Sequence, residues 1–307
     1  AGNRALLKPS EFVPETAALF AEVIPRYFAP EEVAVITGGA DISKRFAELP
    51  FDHLLFTGST AVGVQIMKAA AENLVPVTLE LGGKSPVVIG RTAQLDLAGT
   101  RLTFAKFLNG GQLCLSPDYV LVPAELEEAL VARVAAEAQA MYPEVAENED
   151  YAGVINERHF ERLEAHLKDA VAKGAKLTII GAEKTRPIEG GRRMPLHILQ
   201  NVDDSMTVMQ EEIFGPILPI LPYQDIAEVP GLIEPRSNPL ALYYFGKDRA
   251  EQEYLFNRVP SGGVCVNDVT LHYVQEDLPF GGIGSSGMGA YGERKAFRLV
   301  STGVSNV

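Results

Sequence analysis

The chain has 307 residues, 47% of them hydrophobic, which is enough for a large buried core in one or two domains. Its formal net charge of −13 argues against a nucleic-acid partner, because phosphate binding requires clustered lysine and arginine. No apolar run approaches the roughly 18 to 20 residues of a membrane-spanning helix, so no membrane partner is expected. The N-terminus has no signal-peptide pattern, and the two cysteines lack the spacing of a zinc site. We therefore expect a cytoplasmic protein without a bound metal.

The first third of the chain alternates short apolar runs with amphipathic helical patterns. The predicted strands are 5–8, 33–37, 54–57 and 75–81, and the predicted helices are 16–26, 41–49 and 61–73. This alternation is typical of α/β proteins, in which helices cover a parallel sheet and ligands bind at the carboxyl ends of the strands. The sequence opens at Ala1-Gly2 without a methionine and runs at once into the first predicted strand. We therefore expect a part of a longer protein.

From residue 84 onward the alternation continues with a different spacing. The predicted strands are 86–89, 119–122, 177–180, 217–221, 241–245 and 264–267, and the predicted helices are 96–108, 124–141 and 158–173. A glycine-dense stretch at 281–289 is typical of a loop that packs closely against other backbone. These changes of pattern divide the chain into the segments 1–82, 83–276 and 277–307.

A turn rich in glycine and hydroxyl groups, with Gly58, Ser59 and Gly63, lies between a predicted strand and a predicted helix. Backbone N–H groups and the helix dipole at such a turn can hold a phosphate. The turn does not match the G-x-G-x-x-G pattern. A simple strand-to-helix connection therefore remains an equal alternative at this point.

Two further strand ends carry charged residues. Lys8 ends the first predicted strand and Glu11 follows three residues later, an arrangement suited to ribose hydroxyls. As an isolated feature, such a pair is more often a capping box or a surface polar cluster. Glu80 ends a buried apolar strand and precedes two glycines. A carboxylate at the mouth of an apolar site tends to have a raised pKa, which suits a general base.

The two cysteines differ in their surroundings. Cys114 follows a glycine-containing turn, whereas Cys265 lies within an apolar strand. A lone cysteine is usually a small buried hydrophobic residue, so the sequence around Cys114 does not by itself make that residue a nucleophile. Cys265 fits the structural interpretation better than Cys114 does.

Taken together, five motifs resemble the aldehyde dehydrogenase superfamily in their order and spacing. Within that superfamily, Asn267-Asp268, Leu271-His272 and residues 278–291 are most similar to the class 3 and coniferyl aldehyde dehydrogenase branch. The motifs are Phe56-Thr57-Gly58-Ser59-Thr60, Leu79-Glu80-Leu81-Gly82-Gly83-Lys84-Ser85-Pro86, Gly111-Gln112-Leu113-Cys114, Gln210-Glu211-Glu212-Ile213-Phe214-Gly215-Pro216 and Pro279-Phe280-Gly281-Gly282.

The resemblance implies a role for each of these residues. Cys114 is expected to attack an aldehyde, and Glu80 to activate the water that hydrolyses the resulting thioester. Seven residues are expected to bind a nicotinamide cofactor: Lys8 and Glu11 at the adenosine ribose, Gly58, Ser59 and Gly63 at the pyrophosphate, and Glu212 and Phe214 at the nicotinamide end. The carboxylate of Glu11 repels a 2′-phosphate, so NAD is expected to be preferred, with NADP accepted more weakly.

The resemblance also implies a fold and a reaction. We expect an α/β fold of the aldehyde dehydrogenase type, with a parallel open-sheet cofactor domain at 1–82, incomplete at its N-terminus. A catalytic thiol domain is expected at 83–276, and 277–307 is expected to return to the cofactor domain or to a dimer interface. The expected reaction oxidises an aldehyde to the carboxylic acid, with coniferyl aldehyde, another aromatic aldehyde or a medium to long aliphatic aldehyde as substrate.

Two other functions are compatible with the resemblance, and the sequence departs from the family pattern in one respect. Coenzyme A rather than water intercepts the thioester in acylating members of the superfamily, although Glu80 argues against this reaction. A catalytically silent protein can also retain an enzyme's fold. Family members carry a long N-terminal segment with a dimerisation hairpin and an oxyanion-binding asparagine, and this sequence lacks that segment. We therefore expect a homodimer only of the longer protein, and little or no activity from this chain alone.

Overall fold

The computed structural model describes residues 2–146, 148–181 and 191–291. The chain divides into two compact units. The first contains residues 1–80, 276–279 and 288–307, and the second contains residues 81–275 and 280–287. Of the third predicted segment, 277–307, residues 292–307 lie outside the described part of the chain. No helix within the described ranges is long and apolar enough to span a membrane.

The first unit is built from four short strands and three helices. In chain order these are β1 (Ala5–Leu7), α1 (Pro14–Val23), β2 (Val33–Val35), α2 (Ala40–Ala47), β3 (Leu54–Thr57), α3 (Thr60–Ala71) and β4 (Val77–Glu80). Strand β1 pairs with β2, and β3 pairs with β4, both in parallel. These four strands thus belong to two separate sheets instead of the single sheet expected from the alternation, because alternation predicts parallel strands but does not determine which are neighbours.

The second unit contains a seven-stranded sheet covered by helices. Its elements are β5 (Pro86–Ile89), α4 (Leu95–Phe107), β6 (Tyr119–Pro123), α5 (Glu127–Met141), α6 (Glu157–Ala172), β7 (Lys176–Ile180), β8 (Leu196–Gln200), α7 (Thr207–Gln210), β9 (Ile217–Tyr223), α8 (Val229–Ile233), β10 (Ala241–Phe245), α9 (Arg249–Phe256) and β11 (Gly263–Val266). Short 3₁₀ turns lie at Ile24–Arg26, Leu108–Gly111, Ala124–Leu126, Ile226–Glu228 and Gly284–Ser286, and a two-residue strand, β12, lies at Gly287–Met288.

The strand order of the large sheet is β11-β10-β5-β6-β9-β8-β7. All neighbours are parallel except β7, which is antiparallel to β8 at one edge. Every residue of β5, β6 and β10 is buried. Continuous apolar runs of this kind are typical of central parallel strands that are covered on both faces. The expected α/β fold with a parallel sheet is therefore confirmed.

The predicted bounds of most elements differ from the structure by one to three residues. The predicted strands 54–57, 86–89 and 241–245 coincide with β3, β5 and β10. The predicted helix 16–26 is wrong at its end, because α1 stops at Val23 and a 3₁₀ turn containing Pro25 follows. The sequence prediction also missed β8 and the short helices α7, α8 and α9.

Candidate active site

In the first unit, Lys8 and Glu11 lie at the carboxyl end of β1. The ammonium of Lys8 is 3.2 Å from Glu11 Oε2 and donates a hydrogen bond to the carbonyl of Pro9 at 2.9 Å. A hydrogen bond from its own backbone N–H, followed by the interaction with Lys8, holds the pKa of Glu11 below its ordinary value. The pair therefore offers one cation and one ionised carboxylate, which can donate to and accept from hydroxyl groups.

The glycine turn at the carboxyl end of β3 connects directly to α3. The N–H of Gly58 donates to the carbonyl of Glu80 at 3.0 Å. Ser59 is the N-cap of α3, and its hydroxyl accepts a hydrogen bond from the N–H of Val62. Gly63 is buried near the start of this helix. A strand, a glycine turn and the N-terminus of a 12-residue helix together provide N–H groups and a partial positive charge that can hold a phosphate.

Glu80 is the last residue of β4 and lies opposite Thr57 in the parallel pair. Its side chain is only 4% exposed, and neither carboxylate oxygen has a hydrogen-bond partner within the described residues. Burial raises the pKa of Glu80 to about 7. A carboxyl group that titrates near neutral pH can accept a proton from water and later release it, as a general base must.

In the second unit, the thiol of Cys114 follows a tight turn at the end of α4. Asn109, Gly110 and Gly111 have φ values of 52°, 61° and 73°, in the left-handed region. A methyl group at residue 111 would lie 2.5 Å from the carbonyl oxygen of Gly215, so only glycine permits this close approach. The turn therefore fixes the backbone before Cys114 against the segment that contains Gly215. Cys114 itself is half-buried.

The buried side chain of Gln112 holds the same turn from a second direction. Its amide nitrogen donates to the carbonyls of Asn109 at 2.9 Å and Gly153 at 3.1 Å, and its amide oxygen accepts from the N–H of Ile155 at 2.9 Å. Asn109 in turn donates to the carbonyl of Gln112 at 3.1 Å. The loop before Cys114 is thus tied to the backbone near residue 154.

Glu212 lies beside the backbone of Gly82 and Gly83. A methyl group at residue 82 would collide with the carboxylate of Glu212, and the N–H of Gly83 donates to that carboxylate. Burial, followed by the charge of Asp118, raises the pKa of Glu212 to about 8. Phe214, two residues later, has a positive φ of 50° and leaves 37% of its surface exposed. An acceptor and an aromatic ring are therefore available on one short segment.

Three charged residues hold the backbone of this segment, and the sequence analysis assigned no role to any of them. Lys84 forms a buried ion pair with Asp118 and donates to the carbonyls of Val208 at 2.8 Å and Glu211 at 3.0 Å. Asp118 accepts from the N–H of Ile213 at 2.8 Å. The only available signal was a lysine and an aspartate embedded in apolar sequence, because buried charges are rare unless they are paired.

Arg162 is the third of these residues and approaches from α6. Its guanidinium donates to the carbonyl of Glu212 at 3.1 Å and to that of Ile213 at 2.6 Å. Contacts with carbonyl groups that come from distant parts of the chain leave no motif in the sequence. The segment that carries Glu212 and Phe214 is therefore fixed through its backbone and not only through its side chains.

The predicted site residues are thus brought together in two groups, each within one unit. The first group contains Gly58, Ser59 and Glu80, linked by the hydrogen bond from Gly58 to Glu80. The second contains Cys114 and the Glu212 segment, linked by the approach of Gly111 to Gly215. Lys8 and Glu11 follow the carboxyl end of β1, which pairs with β2 and not with β3.

Cys265 has surroundings unlike those of Cys114. It lies on the edge strand β11 opposite Tyr243, and its sulfur accepts hydrogen bonds from the N–H groups of Val266 and His272. Burial raises the pKa of the Cys265 thiol. A thiol with a raised pKa is less often ionised and is therefore a poorer nucleophile. Within the described residues, no group of three or more His, Cys, Asp or Glu side chains could hold a metal ion.

A family model described as the aldehyde dehydrogenase family matches residues 1–302. The chain belongs to the aldehyde dehydrogenase family. Coniferyl aldehyde dehydrogenase of Pseudomonas sp. is 48% identical over 302 residues, which cover 98% of this chain and 63% of that protein. Aldehyde dehydrogenase family 3 member A2 of Mus musculus is 43% identical over 98% of this chain and 60% of its own length. These relatives confirm the resemblance to the class 3 and coniferyl branch.

Solved structures of aldehyde dehydrogenases have the same fold. AldH of Staphylococcus aureus, in a substrate-bound state, has a TM-score of 0.91 at 38% identity, over 97% of this chain and 64% of that one. Betaine aldehyde dehydrogenase of the same organism, in complex with NAD+, has a TM-score of 0.84 at 26% identity, over 97% of this chain and 60% of that one. The aldehyde dehydrogenase chain described here thus spans about three fifths of the length of these relatives.

Proposed function

We propose that the protein oxidises an aldehyde to a carboxylic acid with a nicotinamide cofactor, through a thioester on Cys114. The observation that carries this proposal is the loop of Cys114, which is fixed by Gly111 and Gln112 beside the segment of Glu212 and Phe214. A thiol on a loop whose backbone contacts the segment of Glu212 and Phe214 supports attack on a carbonyl group near a bound cofactor.

The donor groups fit a dinucleotide. Lys8 and Glu11 offer a cation and a carboxylate for ribose hydroxyls, and the N-terminus of α3 offers N–H groups for a pyrophosphate. Glu212 offers a second carboxyl group, whose raised pKa reflects burial and the nearby charge of Asp118. We assign the residues 1–82 to cofactor binding, 83–276 to the catalytic thiol, and 277–307 to a return to the cofactor domain or a dimer interface.

The reaction proceeds in two stages. The thiolate of Cys114 attacks the aldehyde carbon, and a carbon–sulfur bond forms while the carbonyl oxygen becomes an oxyanion. A bound nicotinamide would supply the acceptor for the hydride that leaves this carbon, and the oxyanion on Cys114 would then collapse to a thioester. Glu80 then takes a proton from water, the hydroxide attacks the thioester, and the carboxylic acid leaves as the thiolate of Cys114 is restored. Glu80 then releases its proton to solvent.

The substrate and cofactor preferences follow from the relatives and from Glu11. We propose an aromatic aldehyde such as coniferyl aldehyde, with medium to long aliphatic aldehydes as the next class, because relatives named for coniferyl aldehyde are 48% identical. We propose NAD over NADP, because the pKa of Glu11 is lowered and its carboxylate repels a 2′-phosphate. We also propose that the complete protein is a homodimer, and its sedimentation in solution tests this prediction.

Trapping of the intermediate tests the proposal. The complete protein with Glu80→Gln is mixed with coniferyl aldehyde and NAD, quenched in acid, digested and analysed by mass spectrometry. We expect the acyl group on the peptide that contains Cys114, in larger amount than in the wild type, because hydrolysis is slowed. An acyl group on the Cys265 peptide, or NADH formation without any acyl-enzyme, would contradict the proposal. Coenzyme A that restores turnover of this variant would support the acylating reaction instead.

A further inference from the structure

Strand β10 carries two consecutive buried tyrosines whose hydroxyl groups have different partners. Tyr243 Oη donates a hydrogen bond to the carbonyl of Leu115 at 2.7 Å, and Tyr244 Oη donates to Glu251 Oε2 at 2.6 Å. Both tyrosines are fully buried. Because successive residues of a strand point to opposite faces of the sheet, only Tyr243 reaches the residue that follows Cys114.

The hydroxyl of Tyr243 has a second partner. The backbone N–H of Thr270, a residue with a positive φ of 60°, donates to the same oxygen. One hydroxyl group therefore joins the backbone after Cys114 to the turn at Thr270. The thiols of Cys265 and Cys114 are also near enough that, after burial, their charges raise the pKa of Tyr243.

We propose that Tyr243 is a positioning residue for Cys114, and this inference rests on the proposed function of that thiol. Gln112 and Gly111 fix the loop on the N-terminal side of Cys114, as described above. Tyr243 fixes it on the C-terminal side, through the carbonyl of Leu115. Anchors on both sides restrict the backbone of Cys114 to one orientation, as a nucleophile requires.

The hydrogen bond between Tyr243 and the carbonyl of Leu115 predicts a loss of activity when the hydroxyl oxygen of Tyr243 is removed. The substitution Tyr243→Phe keeps the buried ring but leaves the Leu115 carbonyl and the Thr270 N–H without their partner. Because loss of a buried hydrogen bond that leaves its partner unsatisfied has a large cost, we expect kcat for aldehyde oxidation to fall about tenfold. The KM for NAD should stay within about twofold, since Tyr243 is not among the residues assigned to the cofactor.

Alkylation of the thiols separates positioning from general stability. The complete protein and its variants are treated with iodoacetamide, and modification of Cys114 and Cys265 is followed on separate peptides. Cys114 is half-buried, so a loosened loop exposes it more often, and we expect Tyr243→Phe to raise the Cys114-to-Cys265 rate ratio about threefold. Cys265 serves as the internal reference because its sulfur accepts from Val266 and His272.

The matched control is Tyr244→Phe, which removes a hydroxyl from the same strand but leaves the loop of Cys114 untouched. The inference would be overturned if Tyr243→Phe and Tyr244→Phe had the same Cys114-to-Cys265 alkylation rate ratio and the same kcat. Hydrogen exchange of the wild type gives a second test, because the N–H of Thr270 should be protected by Tyr243, and its rapid exchange would also overturn it. Either result leaves the proposed function standing, since acyl transfer to Cys114 is measured separately.

Discussion

At the residue scale, Glu80 combines burial with the lack of a hydrogen-bond partner within the described residues. Buried carboxylates without a hydrogen-bond partner are rare in proteins, because an unpaired buried charge destabilises the fold. The raised pKa is the consequence, and it allows the group to exist as acid and as base near neutral pH. The sequence indicated this property correctly from the apolar strand before Glu80.

The pKa of Glu80 determines a pH dependence. Below about pH 7 the carboxyl group is protonated and cannot accept a proton from water, so hydrolysis of the thioester should accelerate as pH rises through about 7. The substitution Glu80→Gln should remove this rise and slow hydrolysis by about 10²- to 10⁴-fold. Rapid-mixing measurements of acyl-enzyme decay at several pH values test both expectations. A Glu80→Gln variant that keeps the wild-type pH profile would exclude Glu80 as the base.

The close approach of the Glu212 carboxyl to Gly82 leads to a second prediction at the residue scale. A methyl group at residue 82 collides with the carboxylate of Glu212, and the flexible side chain of Glu212 should yield rather than the backbone. We therefore expect Gly82→Ala to raise the KM for NAD about tenfold, with a small change in Tm. The control is Gly231→Ala, where no atom lies within 4 Å of the added methyl group. Equal KM values for the two variants would argue against cofactor binding by Glu212.

At the element scale, helix α4 carries a buried cation. Lys106 is 1% exposed, and its ammonium has no hydrogen-bond partner in the part of the chain that the structure describes. Burial lowers the pKa of Lys106 to about 8, while the charges of Asp118 and Glu212 partly oppose this shift and that of Lys84 adds to it. This helix therefore includes a strongly destabilising residue immediately before the turn that leads to Cys114.

The destabilisation of the fold by the buried ammonium of Lys106 decreases as pH rises. Its pKa falls from 10.5 in the unfolded chain to about 8 in the folded protein, so below pH 8 the charge destabilises the fold by about 3 kcal/mol. This penalty disappears as pH rises from 8 to 10.5. We expect Lys106→Met to raise the free energy of unfolding by about 3 kcal/mol at pH 7, and by less as pH increases through this range.

Denaturant unfolding at pH 7 and at pH 10 measures this difference. The control is Lys68→Met on α3, because Lys68 is an exposed residue of a helix in the first unit. We expect Lys68→Met to change the free energy of unfolding by no more than about 0.5 kcal/mol at both pH values. A loss of stability in Lys106→Met at pH 7 would show that the ammonium has a partner that stabilises it.

The regular elements were the part of the fold that the sequence predicted well. Central strands such as β5 and β10 form continuous apolar runs, which are recognisable without tertiary information. Short helices were predicted unevenly: α2 and α9 both have eight residues, but only α2 was predicted. The antiparallel edge pairing of β7 with β8 was also not predicted, because the sequence prediction missed β8.

For the candidate site, motifs indicated the residues that carry chemistry but not those that position them. Cys114 and Glu80 stand in local patterns that the sequence displays. Arg162 and Tyr243 act through carbonyl groups 51 and 128 residues away, and no local pattern records such contacts. Positioning contacts of this kind become visible only when the tertiary structure is known.

At the scale of the whole molecule, the residues proposed for the chemistry are distributed over the two compact units. The first contains Lys8, Glu11 and Glu80, and the second contains Cys114 and Glu212. The family model covers residues 1–302, so both units belong to the same family pattern. Because the relatives are longer than this chain, the activity is best measured on the complete protein.

The central claim is that Cys114 is the nucleophile, and NADH formation by its alanine variant tests this claim most directly. In the complete protein, we expect Cys114→Ala to lose at least about 10⁴-fold in steady-state turnover of coniferyl aldehyde with NAD, because no thioester can form. The matched variant Cys265→Ala should keep its activity within about twofold. Turnover by Cys114→Ala near the wild-type rate, or loss of activity in a folded Cys265→Ala, would contradict the account.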